Sequence, residues 1–339
     1  MNVVNAVVIG ATGYVGSAVT KSLAEHGVSS ITCTSRNVNN AQWLKDLSAD
    51  AAIEVVPLQL RHEVDDSLMK DLRRILCGAD AVFFCAGFED QSPSTVDFMV
   101  NNARAVMDAA KAERVGVVVL TSSGGSTNPP GGLDSAVPKS ELLHFSDPDE
   151  QIGRGRFSPA AKTRMEIAAL AAVGRNHANE VVDAALAGAP STPRLVILNP
   201  NLILGPPLDP SPVVRGNSLP WMLRILKKER MADAVPNDSM SIIDVRDLAA
   251  LHVRAALSDT ASGRYFGVNR SFAWKEILGA FHEVYPDYTP PPLAPGVDYD
   301  ALVPTQFDHT RKDSLGVTLR PLQATLKDLV EFFRFKGSI

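Results

Sequence analysis

Only three cysteines, Cys33, Cys77 and Cys85, occur in 339 residues, and their spacing suits no metal site. Cys33 and Cys85 sit in apolar runs, where a thiol behaves as a small buried hydrophobe. A disulfide-stapled secreted scaffold and a zinc module are therefore excluded. Long hydrophobic runs are also lacking: no stretch reaches the roughly 20 apolar residues that span a bilayer. The N-terminus runs straight into a strand pattern, without a signal peptide, so the expected location is the cytoplasm. Positive charge is in deficit, with 33 Lys and Arg against 38 Asp and Glu and a net charge of −5. That balance argues against nucleic acid or an anionic membrane as partner. The one basic cluster, Arg224 to Arg230, reads as the solvated side of a helix beside Trp221 and Leu223.

What is present is a regular alternation over the first 120 residues. NAVVIG (5–10), SITCTS (30–35), AIEVVPL (52–58), AVFFCAG (81–87) and VGVVVLTSS (115–123) are short runs, hydrophobic almost throughout. Strands buried on both faces have that composition. Between them lie helical patterns: YVGSAVTKSLAEHG, stopped by Gly27, DDSLMKDLRRILCG, stopped by Gly78, and STVDFMVNNARAVMDAAKA. Strand and helix in alternation give parallel pairing with right-handed crossovers, hence an α/β, doubly wound Rossmann sheet. PRLVILNP (193–200) adds a further strand. Beyond residue 200 the chain turns proline-rich, with shorter, mixed elements. We expect residues 1–200 to form the cofactor-binding domain and 201–339 a smaller substrate lobe. SMSIIDVRDLAALHVRAAL, within that lobe, is expected to return to the sheet.

Between the first strand and first helix stand Gly10, Gly13 and Gly16. At this spacing the first glycine permits a tight turn and the second lets backbone approach a pyrophosphate. The third allows close helix–sheet packing, and free N–H groups at the helix start hold the phosphates. The second strand ends in Ser35 and Arg36, where an NAD site would carry an acid for the ribose 2′-hydroxyl. A guanidinium there suits a 2′-phosphate, which favours NADP.

With these residues placed, the chain resembles the extended short-chain dehydrogenase/reductases, nearest the dihydroflavonol reductase and cinnamoyl-CoA reductase group. The resemblance rests on VVIGATGYVGSAVTKSLAEHG, VGVVVLTSSGG, LNPNLILGPPL and SIIDVRDLAALHVRAAL and covers nearly the whole chain. It implies cofactor contacts from Gly10, Thr12, Gly13, Tyr14, Val15 and Gly16, from Ser35 and Arg36, and from Gln59 and Leu60. It further implies contacts from Ala86, Gly87 and Lys162, and from backbone near Pro200, Asn201 and Leu202. Gln59 replaces the family's adenine-side aspartate. RNHANEVVDAALAGAPST (175–192) is an extension relative to the family.

The resemblance implies three catalytic positions. The serine maps onto Ser123, with Ser122 as second choice, and Tyr-x-x-x-Lys maps onto Ser158-Pro-Ala-Ala-Lys162. AAKTRMEIAAL fixes that register, and none of the five tyrosines (Tyr14, Tyr265, Tyr285, Tyr288, Tyr299) reaches the slot by a small shift. In the family the phenol protonates the carbonyl oxygen, the serine hydrogen-bonds it, and the lysine holds the ribose and lowers the phenol's pKa. A positioned general acid contributes about 10²–10⁴ in rate. An oxyanion hydrogen bond adds about 10²–10³, and holding the reactants together up to about 7–11 kcal/mol. Losing the phenol therefore weakens reduction without forbidding it. His144, or less well Asp147, Asp149 or Glu150, would be the substitute acid, and Ser158 would position a water or the substrate. The expected activity is NADPH-dependent reduction of a ketone or aldehyde. The small-molecule carbonyl substrate would be bulky and aromatic in view of Trp221, Met222, Phe266, Phe272 and Trp274. The alternatives are a non-catalytic NADP(H)-binding or sensing protein and a cofactor-bound isomerase or dehydratase.

Overall fold

The computed structural model describes residues 3–88, 92–134, 137–211 and 218–339. Its first part runs β1 (Asn5–Ile9), α1 (Tyr14–Glu25), β2 (Ser30–Ser35), β3 (Ala52–Pro57), α2 (Asp66–Leu76), β4 (Ala81–Phe84), α3 (Ser94–Ala112) and β5 (Val117–Thr121). Then come α4 (Pro148–Gly153), α5 (Phe157–Ala172), α6 (Ala184–Ala187) and β6 (Arg194–Pro200). The C-terminal part contributes β7 (Leu202–Leu204), α7 (Ser218–Leu226), β8 (Ser239–Asp244), α8 (Val245–Leu257) and β9 (Gly263–Gly267). It ends with β10 (Arg270–Ala273), α9 (Trp274–Val284), α10 (Thr310–Asp313) and α11 (Leu322–Phe335).

Seven strands form one parallel sheet in the order β3-β2-β1-β4-β5-β6-β9. The strand order reverses between β1 and β4, and there the carboxyl ends of the strands open a crevice. Every residue of β4 and β5 is buried, as the unbroken apolar runs require when helices cover both faces. Val8, Phe83, Val119 and Leu198 meet α1 and α8 on one side, while Ile9, Phe84, Val118 and Leu120 meet α3 and α5 on the other. Each such large side chain contributes about 1.5–3 kcal/mol of burial.

The late segment divides. Its helix, α8, does return to the large sheet, packing Leu248, Leu251 and Val253 into the core beside α1. Its strand, β8, does not: it pairs antiparallel with β10 and parallel with β7 in a separate three-stranded sheet. Asp244 marks the division. It caps α8 through Arg246 N (2.8 Å), pairs with the Arg246 guanidinium (2.7 Å) and accepts from Thr325 Oγ1 (2.9 Å).

The small sheet, α7, α9 and α11 enclose a third core containing Met222, Phe272, Trp274, Phe281 and Phe333. Trp221 lies edge-on to Trp274 with ring centroids 5.4 Å apart. Four of the five apolar residues expected around a substrate are thus packing residues of this lobe. The 175–192 extension packs beneath β9, where Asn179 Nδ2 donates to Ser262 Oγ (3.0 Å). It also reaches the 140s loop by stacking His177 on Phe145 at 4.8 Å. Among the described residues the cysteines are unpaired, no helix is long and apolar enough to cross a membrane, and no side-chain group could hold a metal.

Candidate active site

Most of the singled-out positions lie at or just beyond the carboxyl ends of strands in the parallel sheet; Ser158 and Lys162 are on α5 and Leu202 is in β7. Gly10 follows β1, Ser35 ends β2 with Arg36 just after it, Gln59 and Leu60 follow β3, and Ala86 and Gly87 follow β4. Ser122 and Ser123 follow β5, and Pro200 ends β6 with Asn201 just after it. Because those strands are parallel, the strand-end positions lie along one edge.

The glycine turn has the shape of a phosphate cradle. Gly10 has φ +85°, and a Cβ there would lie 2.7 Å from Ala86 N; one on Gly16 would overlap the Gly10 carbonyl. Both contacts are with backbone, so no side-chain rotation relieves them. Thr12 and Gly13 are exposed at the head of the 12-residue α1, which has no side-chain cap and no acid in its first turn. The N–H groups there could hold an anion. The Tyr14 phenol points elsewhere, donating to Gly205 O at 2.8 Å. Its burial beside Asp244 pushes its pKa well up, so Tyr14 would serve a cofactor only through its backbone. Ser35 Oγ closes a turn with Asn37 by accepting from Asn37 N (3.2 Å) and donating to Asn37 O (3.0 Å). Arg36 is exposed just beyond it. Leu202 turns its side chain into the small-lobe core.

A cavity of about 410 Å³ lies between the large sheet's edge and the small lobe. Ser123, Ser158, Asn199 and Asn201 line it. Two local features bring the serines there. The turn Gly124–Thr127 is capped by Ser123 Oγ, which accepts from Gly125 N (3.0 Å). That turn presses on α5 so closely that a Cβ on Gly125 would stand 2.8 Å from Pro159 Cβ. Pro159 lies in the first turn of α5, where a missing N–H breaks no helical bond.

Ser122 faces the other way. It is buried and donates to the carboxylate of Glu166, on α5. Glu166 also accepts from Asn199 Nδ2 (2.6 Å) and pairs with Arg264 (2.8 Å), and Asn199 Nδ2 lies 3.1 Å from Ser123 O. Arg264 in turn donates to the carbonyls of Ser126, Glu141 and His144. A fully buried ion pair thus ties the serine strand, α5 and the 140s loop together. Neither Glu166 nor Arg264 was singled out by sequence, although a carboxylate amid MEIAAL, four residues after Lys162, is a usable signal.

Lys162 sits one turn after Ser158 on the same face of α5. Its Nζ donates to Thr121 O at 2.8 Å, and burial pulls its pKa down to about 8. His252 steadies the same strand end: its Nδ1 and Nε2 each lie 2.8 Å from a partner, Leu248 O and Thr121 Oγ1. A carbonyl only accepts, so Nδ1 carries the hydrogen and Thr121 donates to Nε2. Burial holds His252 near 4, hence neutral.

The proposed substitute acids are not in the cavity. The His144 ring binds back to its own loop, with Nδ1 2.9 Å from Ser140 N. Asp147 caps α4, Asp149 pairs with Arg164, and Glu150 pairs with Arg154. Of the expected aromatic residues only Phe266 lines the cavity, joined by Phe307, whose ring meets it edge-on at 4.8 Å. Phe307 and the nearby Lys139, which the sequence reading missed, come from loops with no periodic pattern.

A family model described as NAD(P)H-binding matches residues 10–147. Cinnamoyl-CoA reductase 1 of Arabidopsis thaliana is 27% identical over 333 residues, covering 98% of this chain and 90% of its own length. Cinnamoyl-CoA reductase 2 of the same plant is 27% identical over 338 residues, covering 98% and 93%. The chain is thus similar to these reductases along nearly its whole length, and the part matched by the NAD(P)H-binding model carries the glycine turn. Among solved structures, yeast methylglyoxal/isovaleraldehyde reductase Gre2 complexed with NADPH superposes with a TM-score of 0.78 at 20% identity. That match covers 99% of this chain and 100% of the other.

Proposed function

We propose that this chain uses NADPH to reduce the ketone or aldehyde group of a bulky, aromatic small molecule, with a catalytic constellation that lacks the usual phenol. The observation that carries the reading is the meeting of Ser123 and Ser158 on one cavity at the carboxyl edge of the sheet. Bound NADPH would supply the hydride. The N–H groups from Thr12 to Gly16 would hold its pyrophosphate, and Ser35 and Arg36 its 2′-phosphate. Gln59 and Leu60 would lie against the adenine, Ala86 and Gly87 along the dinucleotide. Backbone at Pro200, Asn201 and Leu202 would meet the nicotinamide amide. Lys162, with two N–H groups beyond the one given to Thr121, would grip the nicotinamide ribose.

Ser123 donates its hydroxyl hydrogen to the carbonyl oxygen as negative charge grows there. Ser158 stands in the family's tyrosine slot. An aliphatic hydroxyl is a poor acid, so Ser158 orients a water or the substrate itself. In this reading the proton comes from the water that Ser158 orients. The three unpaired thiols are in keeping with a cytoplasmic location.

Ser123→Ala tests the assignment in an assay of carbonyl-dependent NADPH oxidation. Turnover should fall by about 10²–10³, the range for one oxyanion donor, with NADPH affinity unchanged. Undiminished turnover would remove Ser123 from the chemistry.

A further inference from the structure

Lys139 is a buried lysine, 5% exposed, on the wall of the same cavity. Its backbone is fixed on both sides: Lys139 N donates to Gln306 O and Lys139 O accepts from Asp308 N, each at 2.8 Å. Its Nζ donates to Asn128 Oδ1 at 2.7 Å and lies 5.8 Å from the centre of the Phe307 ring. An ammonium has three hydrogens, so a neutral amide leaves most of its capacity unused. Among the described residues no carboxylate lies within ion-pair distance of it.

The acids nearby in the fold lie against other groups. Glu141 faces Arg311 at 3.8 Å, Glu166 pairs with Arg264, and Asp308 accepts from Thr310 N at 3.0 Å. Burial, with the Arg264 cation adding to it, pulls the Lys139 pKa down to about 7. Exposed Arg156 adds a second cation to the cavity lining, which among the described residues includes no Asp or Glu. Buried charges are ordinarily paired. Here the space in front of the unpaired cation is the cavity.

We propose that the substrate carries an anionic group, a carboxylate or a phosphate, that binds against the Lys139 ammonium with Arg156 as a second contact. This rests on the reading of the cavity as the substrate site, and it adds a charge requirement to that reading. The Phe307 ring stands beside Lys139 and Phe266 also lines the cavity, so an aromatic acid or phosphate bearing a carbonyl matches the lining.

The test uses the full chain loaded with NADP⁺, which cannot deliver hydride, and reads binding by titration calorimetry. The probes are benzoylformate, 4-oxo-4-phenylbutanoate, their methyl esters, and phenacyl phosphate. At least one anion should bind about ten- to a hundredfold more tightly than the neutral esters, the range for a charge-assisted contact. The ranking of acids against phosphate identifies which anion the site takes. Lys139→Gln should abolish the preference, and Lys139→Arg should keep it. If Lys139→Gln fails to fold, the parent and arginine proteins still decide. Anions binding no better than esters, including no binding of either, overturn the proposal, as does a preference that survives in Lys139→Gln. Turnover with NADPH is scored separately. Anion preference without reduction of any probe would count against the reductase reading and leave the anion subsite standing.

Discussion

Arg264 Nε and Glu166 Oε2 are 2.8 Å apart, and both side chains are completely buried. The pair joins β9 to α5, and through Ser122 and Asn199 it sets the backbone from which Ser123 faces the cavity. Removing one partner leaves a charge with no solvent to take it. Glu166→Ala should therefore lose about 3–5 kcal/mol in urea unfolding. A loss below 1 kcal/mol would mean the pair is not the tie described.

Arg36 governs cofactor choice in this account. NADPH should bind much more tightly than NADH, and Arg36→Ala should erase most of the difference. One charge-assisted contact is worth about 1.5–3 kcal/mol, or roughly ten- to a hundredfold. Equal affinities for the two cofactors in the parent protein would refute it, and fluorescence titration reads them directly.

The two buried lysines make stability depend on pH. Lys139 is pulled to about 7 by burial and Arg264, and Lys162 to about 8 by burial, partly opposed by Cys85 and Glu166. Below pH 7 both lysines are protonated in folded and unfolded chains alike, and the folded state carries two buried cations. Between these folded values and 10.5 the unfolded chain binds more protons, so the lysines' contribution to stability rises with pH. The Lys139→Met/Lys162→Met protein should lack that rise. Its stability advantage over the parent should be largest near pH 6 and shrink towards pH 9.5 in denaturant titrations. A difference constant across that range would contradict the assignment.

Ser158→Tyr restores a phenol four residues before Lys162. Ser158 lines the cavity at the point where Pro159 presses on Gly125, so the ring must take space from the substrate. We expect activity to fall while NADPH affinity holds. A gain of tens-fold or more, within the range of a general acid, would instead show an enzyme that had simply lost its proton donor.

The parts of the site readable from sequence are those coupled to a local pattern. The glycine spacing and the strand ends each follow from one turn or one run, whereas the Ser158–Lys162 step is named through the resemblance to the extended reductases. Ser123, with Ser122 as second choice, is likewise what the resemblance implies for the end of the VGVVVLTSS run. Lys139 and Phe307 could not be named, since a parallel bridge between two irregular segments brings them together. The Glu166–Arg264 pair spans 98 residues (264 minus 166) and leaves only a single anomalous carboxylate in an apolar helix as its trace. β8 reads like the strand of a βα unit that rejoins the large sheet. Its pairing with β10 and β7 is decided by tertiary packing of the small lobe.

Transfer of label from the cofactor tests the central claim most directly. NADPH carrying deuterium at nicotinamide C4, incubated with the chain and a carbonyl substrate, should yield an alcohol with one deuterium on the former carbonyl carbon. NADP⁺ should form in equal amount. Consumption of substrate with no net NADP⁺ would identify an isomerase or dehydratase. Tight NADPH binding with no deuterium in any product, across ketones and aldehydes with and without an anionic group, would contradict the account outright.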